Sequence, residues 1–310
     1  MKATKLQAAR TSARSFDPRT ACRERPLSFD PAKLLLKFET SATAKKAKRR
    51  DIQALNHAHR LYCYSAAGRL ENCGKREGGA RRYCNSAACP VCVRVLRRWH
   101  TSSFAEAAHP FRDKDGTFGV VATVIMSGLR APLGDLDTQD LADIRRRVSR
   151  ALSRLRNDCP IIGGVDLSFN EVGGSREPGQ YQVHISLAFL GHGASKEVRE
   201  RLREKLKKCF RLEPTAKKPV VVVPLRDPVR QGSYLFKIMF SRRVSFRTSN
   251  GNRDTRDLPL KRPQLAEIIM WLDRWKPLDR LLLHHVVIKD FRMVVRPIPK
   301  RKRLPTGNAG

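Results

Sequence analysis

Four cysteines in one short basic stretch constrain the fold of this chain more than any other feature. They are Cys73, Cys84, Cys89 and Cys92, and the last three form the pattern C-x4-C-P-x-C. A C-P-x-C turn presents two thiolates to one metal ion, and the two upstream cysteines can complete a tetrahedron, which is the coordination that structural zinc prefers. The spacing therefore predicts a structural Zn²⁺ site.

Two other interpretations of the cysteines stay open at this point. The four could be unrelated buried residues or a pair of disulfides, although C-P-x-C is too short for an ordinary disulfide loop. Cys63 could also replace Cys73 as the fourth zinc ligand. The remaining cysteines are scattered along the chain: Cys22, Cys159 and Cys209.

The net charge of the chain restricts its partners. The 310 residues include 63 Lys and Arg against 29 Asp and Glu, a formal charge of +34. Such an excess favours nucleic acid as partner. No apolar run approaches the roughly 20 residues needed to span a bilayer, so we expect no membrane partner. No secretory signal is visible, which predicts a cytoplasmic protein whose thiols stay reduced and bind metal.

Many of these cations surround the cysteines or lie on predicted helix faces. Side chains that bind a phosphate backbone are mostly of this type. The residues predicted to bind nucleic acid are Arg81, Arg82, Arg94, Arg97, Arg98 and Arg230.

The middle of the chain has the pattern of an α+β domain. Strands are predicted over 118–127, 161–170, 181–190 and 219–225, with a glycine-rich hairpin at Gly173-Gly174 joining the second to the third. Helices are predicted at 141–155, after the capping residue Ser195, and after Asp227-Pro228. The order β-α-β-β-α-β-α indicates a mainly antiparallel sheet backed by helices, similar to a ferredoxin-like palm.

The composition suggests four regions. Residues 1–50 are a basic arm predicted to be disordered, and 51–110 are a zinc-binding module with flanking helices. Residues 111–245 carry the α+β domain, and 246–310 are a helical extension with a basic tail. A helix is predicted over 46–62, another over 93–108 and a final one over 263–275, followed by a strand within 286–295.

At residues 60–240 the chain resembles rolling-circle plasmid replication initiators of the HUH endonuclease superfamily. The resemblance rests on the cysteine pattern followed by the β-α-β-β-α-β-α order. It implies an HUH-like nicking domain whose third strand carries a His-hydrophobic-His metal site. A carboxylate on the preceding strand completes that site, and a tyrosine on a later helix attacks a DNA phosphate and becomes linked to the 5′ end.

The motifs of the family map onto four residues here. Asp166 falls where the acidic ligand is expected, and His184 takes the first histidine position. Tyr234 corresponds to the nucleophile, and Lys237 to the lysine that often follows it. The resemblance thus implies a divalent ion, Mn²⁺ or Mg²⁺, held by Asp166 and His184. Ser186 stands in place of the second histidine, so the expected nicking is slow and favours Mn²⁺, the softer ion.

The helix of the tyrosine has one polar face. Arg230, Tyr234 and Lys237 fall within roughly 60° on a helical wheel, while apolar residues cover most of the rest. Two cations beside a phenol form a phosphate clamp. The glutamate that often precedes the family tyrosine is missing from residues 229–233. The literal H-x-H at His57 and His59 is discounted, because residues two apart on a helix do not share a face.

The resulting expectation is a plasmid or mobile-element replication initiator. It would bind an origin hairpin and single-stranded DNA, nick one strand through Tyr234, and work with a host helicase and polymerase. The alternative is a non-catalytic zinc-containing DNA- or RNA-binding protein derived from such an initiator. Ser186 and the missing glutamate keep that alternative open.

Overall fold

The computed structural model describes residues 40–58, 61–78, 80–81, 83–155, 158–172, 179–237 and 240–297. Several predicted features lie outside these residues: the basic arm up to 39, His59, Arg82, the hairpin glycines at 173–174 and the basic tail after 297.

The described residues form an α+β protein with seven α-helices. None of these helices is both long enough and apolar enough to cross a bilayer. The helices are α1 (Ser41–His57), α2 (Leu61–Asn72), α3 (Pro90–Ala108), α4 (Leu141–Leu155), α5 (Lys196–Cys209), α6 (Pro228–Leu235) and α7 (Arg262–Asp273).

Eight of the strands form one mostly antiparallel sheet. They are β3 (Gly119–Val124), β4 (Arg130–Pro132), β5 (Ile161–Val172), β6 (Gln180–Leu190), β7 (Val220–Leu225), β8 (Arg242–Arg247), β9 (Arg253–Leu258) and β10 (Leu281–His284). Their order is β7-β3-β6-β5-β8-β9, with β10 added to β5 and β4 added to β6. The strands of two small hairpins are β1 (Arg76–Glu77), β2 (Ala80–Arg81), β11 (Val286–Lys289) and β12 (Arg292–Val295).

The predicted pairing of the two central strands is confirmed. β5 and β6 are antiparallel, and their register places Asp166 opposite His184. The other edge of β5 is shared by two strands: β10 pairs with residues 161–164 and β8, in parallel, with residues 169–172. Residues 165–168 lie between these two partners, so the edge of β5 beside Asp166 carries no neighbouring strand among the described residues.

The two faces of the sheet belong to two separate hydrophobic clusters. Ile161, Val165 and Leu167 alternate onto one face, where α4, α5 and α7 cover them. Ile162 and the residues at every second position after it face the other way, toward α3, α6 and the β11–β12 hairpin. Asp166 and His184 lie on this second face, which we call the α6 face.

The predicted element order between the first strand and the tyrosine helix is confirmed, with one short additional strand, β4. Ser195 caps α5 by accepting from Val198 N–H, and Asp227 caps α6 by accepting from Arg230 N–H, as the sequence predicts. Two bounds differ. α1 begins at Ser41, within the stretch predicted to be a disordered arm, because the Thr40 hydroxyl caps it. The strand predicted within 286–295 is a hairpin of β11 and β12, turning at Asp290 and Phe291.

Candidate functional site

The four cysteines converge as the sequence predicts. Their sulfur atoms all lie within 4.8 Å of one another. The separations are 3.5 Å from Cys73 to Cys92, 3.6 Å from Cys89 to Cys73 and 3.8 Å from Cys84 to Cys92. A tetrahedron of thiolates with Zn–S bonds of about 2.3 Å has S–S edges of about 3.8 Å. The cluster therefore fits one zinc ion and is too wide for disulfides, whose S–S bond is about 2.05 Å.

Three secondary-structure elements bring these cysteines together. Cys73 directly follows α2, and the β1–β2 hairpin leads toward Cys84. Cys89 is the N-cap residue of α3, and Cys92 lies in its first turn after Pro90. Thiolates at a helix N-terminus are stabilised by the helix dipole. Hydrogen bonds with Cys84, and then with Cys89 and Cys92, lower the pKa of Cys73, while hydrogen bonds with Cys73 and Cys84, together with burial, raise the pKa values of Cys89 and Cys92. Metal binding would therefore release protons from the buried thiols. Cys63 is buried but does not belong to this group.

The zinc region shares one core with the sheet. Cys73, Cys89 and Cys92 belong to the same hydrophobic cluster as Trp271 of α7 and the buried face of β5. Polar contacts reinforce this packing. Lys48 Nζ of α1 donates to the Cys73 carbonyl at 2.9 Å. Asp273, at the end of α7, accepts from Ser86 Oγ and pairs with Arg69. Loss of a metal from the cysteines would therefore also destabilise α1, α7 and the core of the sheet.

The arginines predicted to bind nucleic acid divide into two groups. Arg81 and Arg230 are exposed, and Arg94 and Arg98 are partly buried on α3. Arg97 is only 1 % exposed. Its guanidinium donates to the Ser233 carbonyl from Nε and Nη2, at 3.2 and 3.0 Å. The prediction for Arg97 is therefore corrected: it holds α6 in place and does not contact nucleic acid.

A second polar group lies on the α6 face. Asp166 and His184 are direct cross-strand partners, so their side chains are neighbours. Ser168, two residues further along β5, is also on this face, and its hydroxyl lies 2.8 Å from His184 Nε2. Ser168 donates to Asn170 Oδ1 at 3.1 Å, so it accepts from His184. Sequence reasoning missed Ser168, although the spacing of two along a strand was the available signal.

The Nε2 nitrogen of His184 therefore carries the ring hydrogen and donates it to Ser168 Oγ. Burial lowers the pKa of His184, and the cations Arg243 and Lys237 act in the same direction while Asp166 opposes them. The imidazole is neutral at pH 7.

Asp166 is also paired already. Its Oδ2 lies 3.9 Å from Lys237 Nζ, in an ion pair whose side chains are 13 % and 19 % exposed. Its Oδ1 accepts from the backbone N–H of Leu167. Among the described residues, no third His, Cys, Asp or Glu brings a ligand atom to this pair. Asp166 and His184 are thus two protein ligands at most, and a divalent ion there would need water or substrate oxygens for the rest of its coordination.

Tyr234 lies near this group at the end of α6. Its side chain is 58 % exposed. Lys237 Nζ is 5.7 Å from the centre of its ring and so lies between the tyrosine and Asp166. Unlike the sequence prediction, the helix ends at Leu235, and Lys237 follows it in a turn closed by a bond from its N–H to the Tyr234 carbonyl. The turn after the helix, and not a shared helical face, thus brings the Lys237 ammonium close to the phenol of Tyr234.

Two glycines allow α6 to approach its neighbours closely. A Cβ atom on Gly232 would lie 2.3 Å from Phe104 of α3. A Cβ on Gly164 of β5 would lie 2.4 Å from the Leu235 carbonyl oxygen. Real Cβ contacts are longer than this, so only glycine permits this packing at either position. The end of α6 that carries Tyr234 is therefore fixed against both α3 and the sheet.

Two buried arginines hold the carbonyl groups on both sides of Tyr234. Arg97 donates to Ser233, and Arg280 Nη2 donates to the Lys237 carbonyl at 2.7 Å. Arg280 also donates twice to the Val165 carbonyl, next to Asp166. Burial lowers the pKa of Arg280 to about 10, so it remains a cation at neutral pH. These bonds satisfy carbonyls at a helix C-terminus, where cations are favoured.

His100 packs beside these two arginines and Phe236. It is fully buried on α3, and its ring stacks on Phe236 with a centroid distance of 4.2 Å. Neither ring nitrogen has a hydrogen-bond partner among the described residues. Burial, and then the charges of Arg97 and Arg280, lower its pKa to about 3. The folded protein therefore holds a neutral imidazole that an unfolded chain would protonate near pH 6.5.

We expect His100 to weaken the fold in acid. Between pH 6.5 and the folded pKa, the unfolded state binds a proton that the folded state does not, so stability falls as pH falls, by about 1.4 kcal/mol per pH unit. In His100→Leu this contribution is lost. Urea unfolding at pH 7, 6 and 5 should show wild type losing stability relative to the variant, by about 0.7 kcal/mol from pH 7 to 6 and by about 1.2 kcal/mol from pH 6 to 5. Subtracting the unfolding free energy of the variant from that of wild type cancels the contributions of the other titrating groups. If the two free energies changed with pH in parallel, the prediction would be contradicted.

Comparison of this chain with known proteins found no matching family model, curated protein or solved structure.

Proposed function

We propose that this protein binds DNA and cuts one strand through Tyr234, as an initiator of rolling-circle replication in a plasmid or mobile element. The observation that carries the proposal is the position of Tyr234. It is an exposed tyrosine beside a lysine, on the sheet face where Asp166 and His184 are cross-strand partners. The order of the elements and the zinc-fitting cysteines resemble the same class of initiators.

The chemistry suits a phenol nucleophile. A tyrosine can attack a phosphodiester and keep the bond energy in a covalent phosphotyrosine. Phosphoryl transfer depends mainly on positioning and on neutralising the charge of the phosphoryl oxygens. The carbonyl bonds of Arg97 and Arg280 position Tyr234, and Lys237 lies within reach of a phosphate beside its ring.

The zinc region and the exposed arginines would hold the DNA backbone. Zn²⁺ on the four cysteines would fix the loop that carries Arg81, and Arg230 on α6 lies one turn before Tyr234. In this proposal the partners are an origin hairpin and its single strand, and afterwards the host helicase and polymerase.

A second function is favoured by one observation. Asp166 pairs with Lys237, and among the described residues no third His, Cys, Asp or Glu joins Asp166 and His184 as a metal ligand. A non-catalytic DNA- or RNA-binding protein derived from an initiator would tolerate this arrangement. The two functions differ in a single measurable property, the formation of a covalent bond to DNA.

Trapping that bond tests the proposal. Purified protein is incubated with a pool of random-sequence single-stranded DNA, labelled at either the 5′ or the 3′ end, and separated under denaturing conditions. A tyrosine linked to the 5′ phosphate retains the 3′ portion of the strand. We therefore expect the 3′ label, and not the 5′ label, to migrate with the protein. Binding without any adduct, with Mn²⁺, with Mg²⁺ or without either, would favour the non-catalytic alternative.

Nucleic-acid binding should depend steeply on salt. Each phosphate contact releases counterions, so the logarithm of the affinity should fall with log[salt] by about 0.7 per contact on single strands. We expect Arg230→Ala to reduce this slope by about one contact. The matched control is Arg154→Ala, which removes an exposed arginine from α4 on the opposite side of the sheet. If wild type, Arg230→Ala and Arg154→Ala all showed the same salt dependence, Arg230 would not contact the DNA backbone.

A further inference from the structure

We propose that strand transfer at Tyr234 needs no divalent ion, because the Lys237 ammonium, held by Asp166, supplies the positive charge that a metal would bring. This inference rests on the proposed function and makes it more specific. It assigns Lys237 as a catalytic residue and Asp166 as a positioning residue, in place of a metal ligand.

The position of Lys237 is fixed by bonds at three points. Its backbone N–H donates to the Tyr234 carbonyl at 3.2 Å, and its own carbonyl accepts from Arg280 at 2.7 Å. Its ammonium pairs with Asp166 Oδ2 at 3.9 Å. The side chain is mostly shielded from water. A lysine held in this way loses little of the entropy that an exposed lysine loses on ordering.

The lysine ammonium lies beside Asp166 Oδ2, the carboxylate oxygen that does not accept from the Leu167 N–H. A divalent ion at Asp166 would displace the ammonium and meet its charge at close range. Arg280, which donates to the Val165 carbonyl, is a second cation close enough to interact with the Asp166 charge. Two cations beside one carboxylate disfavour a further positive charge but suit an incoming phosphate.

His184 has a structural part in this arrangement. Its Nε2 is bonded to Ser168, which is bonded in turn to Asn170. The chain of bonds keeps a neutral imidazole beside Asp166 and leaves the carboxylate to pair with Lys237. Ser186, in the position of the second histidine of the family, is 5 % exposed and lies opposite Gly164 and Thr123.

The step balances without a cofactor. The phenol oxygen of Tyr234 bonds to phosphorus, and the bond from phosphorus to the 3′ oxygen breaks, with its electron pair staying on that oxygen. The phenol proton passes to water, which reaches the exposed ring, and the 3′ oxygen takes a proton from water. Nothing is oxidised or reduced, and no net proton is consumed. Lys237 remains an ammonium and neutralises the phosphoryl oxygens throughout.

The test compares adduct formation with and without divalent ions. Full-length protein whose zinc content has been measured is assayed on single-stranded DNA in EDTA, in Mg²⁺ and in Mn²⁺, and its zinc is measured again afterwards. We expect the rate in EDTA to lie within about twofold of the rate in Mn²⁺. Lys237→Ala should reduce the rate by about 100-fold, the usual effect of removing one preorganised stabilising group. Added ethylammonium should restore part of that loss, which a merely structural role for Lys237 would not allow.

Matched variants separate charge from packing. Lys261→Ala removes an exposed lysine that also pairs with a carboxylate, Glu171, at 3.8 Å, and should leave the rate unchanged. Lys237→Arg keeps the charge and should retain more activity than Lys237→Ala. Asp166→Asn should slow the reaction without lowering DNA affinity, since it frees the lysine but removes no cation.

The outcomes distinguish the inference from the function on which it rests. An adduct that forms only with Mn²⁺ or Mg²⁺ would overturn the inference and leave the proposed function standing. The inference also fails, without the function, if Lys237→Ala, still folded by circular dichroism, reacts as fast as wild type. Absence of any adduct under all three conditions would remove both. An adduct in EDTA that depends on Lys237 supports both.

Discussion

Cys89→Ser is expected to abolish zinc binding and to unfold the region from α2 to the first turn of α3. Cys89 is fully buried, and its sulfur is 3.6 Å from that of Cys73. Zinc contributes on the order of 10 kcal/mol to the folding of small zinc modules, which is comparable to the whole stability of a typical domain. Elemental analysis should find about one zinc per chain in wild type and none in the variant. Thermal unfolding should begin at a much lower temperature.

The damage should spread beyond the cysteine loop because the loop shares its core with α7. Ser86 and Arg69 both bind Asp273 at the end of α7, and Trp271 lies in the same cluster as the cysteines. We therefore expect the variant to lose nucleic-acid affinity as well as zinc.

Cys63→Ser provides the control for the zinc prediction. Cys63 is as buried as Cys73, Cys89 and Cys92 but does not belong to the cluster. This variant should keep its zinc and lose only the modest stability of a buried polar substitution. Loss of zinc from Cys63→Ser would revive Cys63 as the fourth ligand, and a full zinc content in Cys89→Ser would contradict the four-cysteine site.

The helices and strands of the α+β domain could be predicted because their sequence patterns are local. The apolar residues of α4 recur at helical spacing, and all five that define this pattern are buried: Leu141, Ile144, Val148, Leu152 and Leu155. The antiparallel pairing of β5 with β6 followed from two β-rich segments close together in sequence. The four cysteines were predictable for a similar reason, since short spacing alone brings thiolates to one metal ion.

The sequence did not reveal contacts of side chains whose partners are distant in sequence. Arg97 lies in a basic run, where an arginine normally faces water, but its partner is Ser233. Arg280 carries no local signal at all, because nothing near it in sequence indicates that it holds the Val165 and Lys237 carbonyls. The end of α6 at Leu235 is likewise set by tertiary contacts with Gly164 and Arg280 rather than by a local stop signal.

The sequence predicted that Asp166 and His184 would share a sheet face, but it did not predict which side chains they would bond to. Strand alternation and register place Asp166 beside His184, as the sequence allowed. Which atoms pair is decided by Lys237 and Ser168, and neither pairing has a sequence signature. The expected divalent ion at Asp166 and His184 came from the resemblance and stays a prediction.

Tyr234→Phe is expected to have the largest effect on activity. If Tyr234 is the nucleophile, the change removes the only atom that bonds to phosphorus, and adduct formation should fall at least about 10³-fold. DNA affinity should stay within about twofold, because the ring, Arg230 and Lys237 all remain and only one exposed hydroxyl is lost. The fold should be unaffected, since the side chain is more than half exposed.

Tyr64→Phe is the matched control for this prediction, because it removes a hydroxyl from another exposed tyrosine, on α2. It should form the adduct at the rate of wild type. An adduct that persists in Tyr234→Phe would assign the nucleophile to another residue, and peptide mapping of the DNA-linked fragment would identify it. Loss of both binding and adduct in Tyr234→Phe would instead mean that the phenol contacts the DNA before any reaction, and that the exposed end of α6 is a binding surface rather than a catalytic one.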